Sequence, residues 1–213
     1  MITKELTISQ LAYIRVSELY ETNPWFRDFI DCGHVESDWE EFDRNSDYPY
    51  ISNGASRGVL IYDDFDWVIK FNFSDEVKGK YDFCENEVGI YYEAESEGLE
   101  EYFAKTWRAG DIEGVPFYVM EKAEMNNSYS VCCRSDSNVC NTNETYSGFL
   151  DNNRSWMSEE DLVTIINFFG TTYSEDEVFE LINFCEEKSI VDIHDSNVGY
   201  INSRPVIIDY ASW

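Results

Sequence analysis

Basic residues are scarce in this chain. Lysine and arginine number 15 against 43 aspartates and glutamates, a formal charge of −28 over 213 residues. Binding to a nucleic-acid backbone needs clusters of Lys and Arg to displace counterions, so direct nucleic-acid binding is not expected. The same deficit argues against docking on an anionic membrane. It favours solubility and leaves a basic protein as a candidate partner. Long apolar runs are missing too: none approaches the ~18 residues of a membrane span. The start, Met1 to Leu6, has no basic stretch followed by an apolar one, so no secretory leader is expected. The six cysteines (Cys32, Cys84, Cys132, Cys133, Cys140 and Cys185) are scattered, and their one cluster lacks a CxxC pair and lies far from both histidines. Neither a disulfide framework nor a zinc site is expected. Reduced thiols and a cytoplasmic location follow as expectations. No internal repeat is present.

What is present suits a folded core. Hydrophobic residues make up 43% and aromatics 16% of the chain, a globular composition. Leu11, Ile14, Leu19 and Tyr20 recur at near-helical spacing between about Ser9 and Cys32, with a break at Asn23-Pro24. Short β-branched and aromatic runs follow at Tyr50 to Ser52, Gly58 to Tyr62 and Trp67 to Phe71, punctuated by Asn53-Gly54 and Asp63-Asp64. A helix is predicted from about Tyr81 to Glu97, with Ile90, Tyr91 and Ala94 inward and Gly98 as its stop. Val115 to Met120 reads as a strand. Met125 to Ser155 is rich in Asn, Ser and Asp and reads as a long loop or insertion. Ser158 and Ser174 each precede acidic residues and an apolar periodic stretch, the pattern of two capped helices. Ile190 to Tyr210 reads as two short strands around a turn at Asn202-Ser203. The order predicts an α+β fold of two lobes.

Four features carry candidate chemistry. The segment from Ile51 to Val59 contains Gly54, Ser56 and Gly58 between two strands, where glycine lets backbone N–H groups approach a phosphate. Lys70 is embedded among Val68, Ile69 and Phe71 and needs a counter-charge; Glu87 on the next helix is the natural candidate, with Glu85 and Glu93 as rivals. Asp192, His194 and Asn197 sit in a tight polar loop, where an aspartate can accept a hydroxyl proton and an asparagine carbonyl suits Mg²⁺. Asp209 ends the apolar run Val206 to Ile208, where a carboxylate calls for a metal or a partner.

In this order the residues resemble the protein-kinase-like superfamily, closest to the aminoglycoside-phosphotransferase branch and related small bacterial and phage kinases. That branch has a catalytic loop H-G-D-L-H-P-G-N, then a strand ending I-D-[WYF]. Asp192 to Asn197 matches D-L-H-P-G-N, and Ile208-Asp209-Tyr210 matches the metal-binding motif. The resemblance implies ATP and Mg²⁺ as cofactors, with Asp192 as catalytic base and Asn197 and Asp209 as the metal ligands. It implies that Lys70 grips the α/β-phosphates, that Glu87 positions Lys70, and that the loop with Gly54 and Ser56 covers the nucleotide. Met120 to Ala123 would be the hinge, with Glu121 and Ala123 beside the adenine. The sequence departs from the family at Ile190, where a histidine is usual, and at Tyr210-Ala211, which lacks the Phe-Gly of eukaryotic-like kinases.

The expected organisation is a helical extension at 1–47, a β-rich kinase-like N-lobe and hinge at 48–124, a polar insertion at 125–155, and a reduced, mostly helical C-lobe at 156–213. The expected activity is ATP·Mg-dependent phosphoryl transfer to a hydroxyl acceptor. Two alternatives stand beside it: a pseudokinase that binds nucleotide without turnover, and an acidic decoy that inhibits a basic, nucleic-acid-binding partner.

Overall fold

The computed structural model describes residues 6–46, 51–53, 56–74, 81–125 and 157–211. The fold is α+β. It divides into two compact units: residues 1–91 with 105–122, and residues 92–104 with 123–213. Among the described residues, no helix is long and apolar enough to cross a membrane.

The first unit opens with α1 (Ile8–Thr22), α2 (Pro24–Asp31) and α3 (Glu36–Asn45). Local chemistry sets the first two boundaries. Thr7 and Gln10 form a reciprocal capping box that starts α1. Asn23 ends α1 and also caps α2, its side chain accepting from the Phe26 N–H, with Pro24 at the first helical position. α3 was not expected. Its interior apolar signal is only Trp39 and Phe42, three residues apart, too little to announce a helix by periodicity.

A five-stranded antiparallel sheet follows, in the order β1-β2-β3-β5-β4. Its strands are β1 (Ile51–Asn53), β2 (Arg57–Ile61), β3 (Trp67–Asn72), β4 (Thr106–Ile112) and β5 (Val115–Glu121). β4 also escaped the sequence reading, because its register shifts between Arg108 and Gly110. A bulge there interrupts the alternation by which strands are recognised.

The sheet has two distinct faces. Leu60, Ile69, Phe71, Phe117 and Val119 point to one side and pack with Val16, Phe26, Phe29, Trp39 and Phe42. Phe71 meets Phe26 edge-on, with ring centroids 5.5 Å apart. Arg15 fastens α1 to the β2–β3 connection, bonding Asp64 at 3.0 Å and lying over the Tyr62 ring. The N-terminal helices of the expected extension at 1–47 thus supply a large part of the first unit's core.

Gly58 is part of this packing. A Cβ there would meet the Trp39 ring at 2.4 Å. Its smallness serves the indole, whereas the sequence reading assigned the glycines of this segment to phosphate approach. Gly54 lies outside the described residues.

The helix after the sheet's first half is α4 (Phe83–Glu97), and it ends as expected at Gly98, in the left-handed region with φ +77°. Through Tyr91 it belongs to the first unit; its remainder, and residues up to Ala104, belong to the second. The second unit also holds β6 (Glu124–Met125), α5 (Glu159–Phe169), α6 (Glu175–Glu187), β7 (Val198–Ile201) and β8 (Arg204–Ile207). Strands β6, β7 and β8 form a three-stranded sheet, in which β7 and β8 are the two short strands expected around Asn202-Ser203. Asn202 and Ser203, with φ 51° and 67°, make the tight turn between β7 and β8. The expected insertion at 125–155 lies, apart from Met125, outside the described residues.

Candidate functional site

Alternation along β3 puts Ile69 and Phe71 in the helix-covered core and turns Lys70 to the other face. Register places Val59 and Tyr118 beside Lys70, and Met120 beside Val68. Lys70 is only 4% exposed. Its Nζ donates to Glu87 Oε2 at 2.6 Å and approaches Met120 Sδ at 3.8 Å.

Glu87 is wholly buried. Its other oxygen, Oε1, accepts from Arg57 Nη1 at 2.6 Å. One buried carboxylate therefore joins two cations. The helix phase of α4 decides among the three glutamates: buried positions Phe83, Cys84, Glu87, Val88, Ile90, Tyr91 and Ala94 share the inward side. Glu85 is exposed and accepts from the Tyr118 hydroxyl at 3.0 Å. Glu93 pairs with Lys188 in the second unit at 2.8 Å.

Sequence reasoning missed Arg57. Its signal was faint: it lies two residues before Val59, so it shares the face of Lys70 once the β2–β3 register is known. The guanidinium also lies over Phe83, 5.8 Å from the ring centroid.

Two more groups border this face. The Cys84 thiol is fully buried, and desolvation pushes its pKa up, keeping it protonated and inert. The Tyr118 hydroxyl donates toward Asp82 Oδ2 at 2.7 Å, and burial followed by that hydrogen bond raises its pKa. Beside Lys70 lies an aliphatic surface of half-buried Val59, Ile61 and Val68 with buried Met120.

The remaining first-unit candidates have structural partners. Ser56 is buried, and its carbonyl accepts from the Phe73 N–H at 2.9 Å, closing the end of β2 on β3. The Glu121 carboxylate accepts the Lys105 N–H at 3.0 Å, and the Glu121 N–H donates to Lys105 O at 2.9 Å. The division between the two units passes between Lys122 and Ala123. Within the second unit, Ala123 and Glu124 lie so close to Gly199 that a Cβ there would come within 3.0 Å of Ala123 Cβ.

The second unit organises the other group of candidates. Asp192 adopts φ +68°, which a non-glycine residue rarely does. Its main-chain oxygen accepts from Asn197 Nδ2 at 2.8 Å and from the His194 N–H at 3.2 Å. The Asp192 side chain is 73% exposed, with Oδ1 3.7 Å from His194 Nε2. His194 Nδ1 accepts from the Ser196 N–H at 3.2 Å. Asn197 O accepts from the Ile208 N–H at 2.9 Å, which sets Asp209 one residue beyond that junction. Tyr210 anchors the segment, its buried hydroxyl donating to Ala104 O at 2.7 Å.

The donor set suits a hard cation in one respect. Turning Nδ2 onto Asp192 O leaves Asn197 Oδ1 without a hydrogen bond among the described residues. An amide oxygen is the kind of neutral oxygen ligand that Mg²⁺ accepts, since Mg²⁺ takes few protein ligands and completes its shell with water and phosphate oxygens. Among the described residues, no three His, Cys, Asp or Glu side chains converge as a metal-holding group. A cation here would therefore rely on Asn197, Asp209 and ligand oxygens. No protein-family model, curated protein or solved structure matches this chain.

Proposed function

We propose that this protein is an ATP·Mg-dependent phosphotransferase of kinase-like architecture, acting on a hydroxyl acceptor. The observation that carries the reading is the Lys70–Glu87 pair: two residues 17 apart, which the resemblance implies are the phosphate-gripping lysine and its positioning glutamate, lie 2.6 Å apart and buried. A strand lysine with two of its three protons already directed, and an aliphatic surface beside it, suits a nucleotide whose phosphates meet the ammonium and whose base lies on Val59, Ile61, Val68 and Met120.

In this reading Lys70 holds the α/β-phosphates, and Glu87 keeps its ammonium in place. Asn197 Oδ1 and the Asp209 carboxylate would hold the metal, which would supply positive charge to offset that of the phosphate oxygens. The exposed Asp192 carboxylate accepts the acceptor's hydroxyl proton. The acceptor oxygen bonds to the γ-phosphorus, the bond from γ-phosphorus to the β–γ bridging oxygen breaks, and ADP leaves with that electron pair.

A second reading, nucleotide binding without turnover, draws on the sharing of Glu87 between Lys70 and Arg57, which would keep the phosphate end closed. The test is incubation with γ-labelled ATP and Mg²⁺, comparing wild type with Asp192→Ala. Label transferred by wild type and lost in the variant supports the phosphotransferase. Nucleotide binding with no transfer to protein or added hydroxyl compounds supports the second reading. Absence of both would favour the acidic decoy motivated by the charge of −28.

A further inference from the structure

Helices α5 and α6 begin with the same device, and they use it differently. Before α6, Ser174 and Glu177 form a reciprocal capping box whose carboxylate is exposed. Before α5, Ser158 and Asp161 do the same, with the shorter acid buried to 5% exposure. Asp161 Oδ2 accepts from the Ser158 N–H at 2.9 Å and from the Ser158 hydroxyl at 2.7 Å. No cation pairs with it among the described residues. Desolvating a carboxylate without a counter-ion is unfavourable, and α6 demonstrates that the cap itself does not require it.

The difference lies in the second oxygen. Asp161 Oδ1 accepts the Ile193 N–H at 2.7 Å, across 32 residues of sequence. Ile193 directly follows Asp192, the non-glycine residue held at φ +68°. An anionic acceptor on that N–H fixes the plane of the 192–193 peptide and opposes relaxation of Asp192 to an ordinary conformation. From the other side, Asn197 Nδ2 and the His194 N–H hold the Asp192 carbonyl.

We propose that Asp161 is the positioning residue of the Asp192 loop, its buried carboxylate holding the Ile193 N–H so that the Asp192 side chain is presented in one orientation. The catalytic consequence rests on the phosphotransferase reading; the structural tie does not.

Two variants separate the tie from the cap. Ser158→Ala removes the hydroxyl half of the cap, the oxygen that accepts the Asp161 N–H, and leaves the Ile193 bond; Asp161→Ala removes the carboxylate half of the cap together with the Ile193 bond. Both should melt at lower temperature than wild type. In Ser158→Ala, the hydrogen exchange of the Ile193 amide and the kcat of phosphoryl transfer should match wild type. In Asp161→Ala, the Ile193 amide should exchange faster by about tenfold or more, and kcat should fall by about a hundredfold with KM for ATP unchanged. Equal Ile193 exchange in the two variants, or equal kcat, overturns the proposal. If wild type transfers no phosphoryl group, the functional reading fails and the amide measurement alone judges the tie. Should Asp161→Ala not fold, Asp161→Leu, which keeps much of the volume and neither acceptor oxygen, is measured against the same criteria.

Discussion

Replacing Glu87 by Gln should be among the most damaging single changes in the first unit. The glutamine keeps the volume but offers one oxygen where two were used, and it presents N–H groups to a cation. Both Lys70 Nζ and Arg57 Nη1 lie 2.6 Å from the present carboxylate, and the lysine and arginine are 4% and 8% exposed. Removing one partner of a buried ion pair costs about 3–5 kcal/mol, because the remaining charge is left in a low dielectric. Here the hub of two pairs is removed, so Glu87→Gln should cost at least about 3–5 kcal/mol. Lys70→Met takes away one spoke; Glu87 keeps Arg57, and the thioether fills the lysine stem's volume. That loss should be about 1–3 kcal/mol, that of one charge-assisted hydrogen bond. With a urea slope of roughly 1–3 kcal/mol/M, the Glu87→Gln midpoint should fall by about 2 M. Tryptophan fluorescence suits the assay, since Trp25, Trp39, Trp67 and Trp107 all belong to the first unit. A Glu87→Gln loss below about 1 kcal/mol, or one no larger than that of Lys70→Met, would refute the shared-carboxylate argument.

Three further outcomes are expected. Gly58→Ala drives a methyl group into the Trp39 ring, 2.4 Å away, and should lower stability by about 1–3 kcal/mol or more; Trp39→Leu in the same chain should recover part of the loss, and no recovery would mean the clash lies elsewhere. Burial lowers the pKa of His34 from its usual 6.5, with Asp82 partly opposing. The unfolded chain then takes up the proton first as pH falls from 6.5, so His34 favours the fold above that pH and ceases to do so below it; in thermal melts across that window, His34→Asn should flatten the slope, and an unchanged slope would dismiss the contribution. By calorimetry, Asp209→Asn should weaken Mg·ATP binding by roughly tenfold or more, about one charge-assisted bond, and weaken ATP alone far less; equal weakening would remove Asp209 from the metal site.

Features whose partners lie within a few residues were legible in the sequence. Ser158 and Ser174 as N-caps, the break at Asn23-Pro24, Gly98 as the stop of α4 and the turn at Asn202-Ser203 all hold. Each depends on hydrogen bonds or dihedral preferences spanning three or four positions, which residue type and spacing encode directly. Lys70 was legible as a charge needing a partner, because an apolar strand offers it none. The choice among Glu85, Glu87 and Glu93 was not, since it depends on which side of α4 turns inward.

Tertiary structure alone decided the rest. Arg57 reaches Glu87 across 30 residues and Asp161 reaches Ile193 across 32; nothing near either residue announces the contact. Gly58 looked like a glycine for phosphate approach until Trp39, from a helix of weak periodicity, was seen to fill the space of its missing side chain. α3 and β4 form because their few apolar residues enter a core that other elements have assembled, and the bulge in β4 is tolerated because β5 holds both of its ends. Burial of that kind depends on the whole unit. A chain read residue by residue shows which groups need partners, and only the folded arrangement selects among partners distant in sequence, by bringing one within bonding distance and shielding it from water.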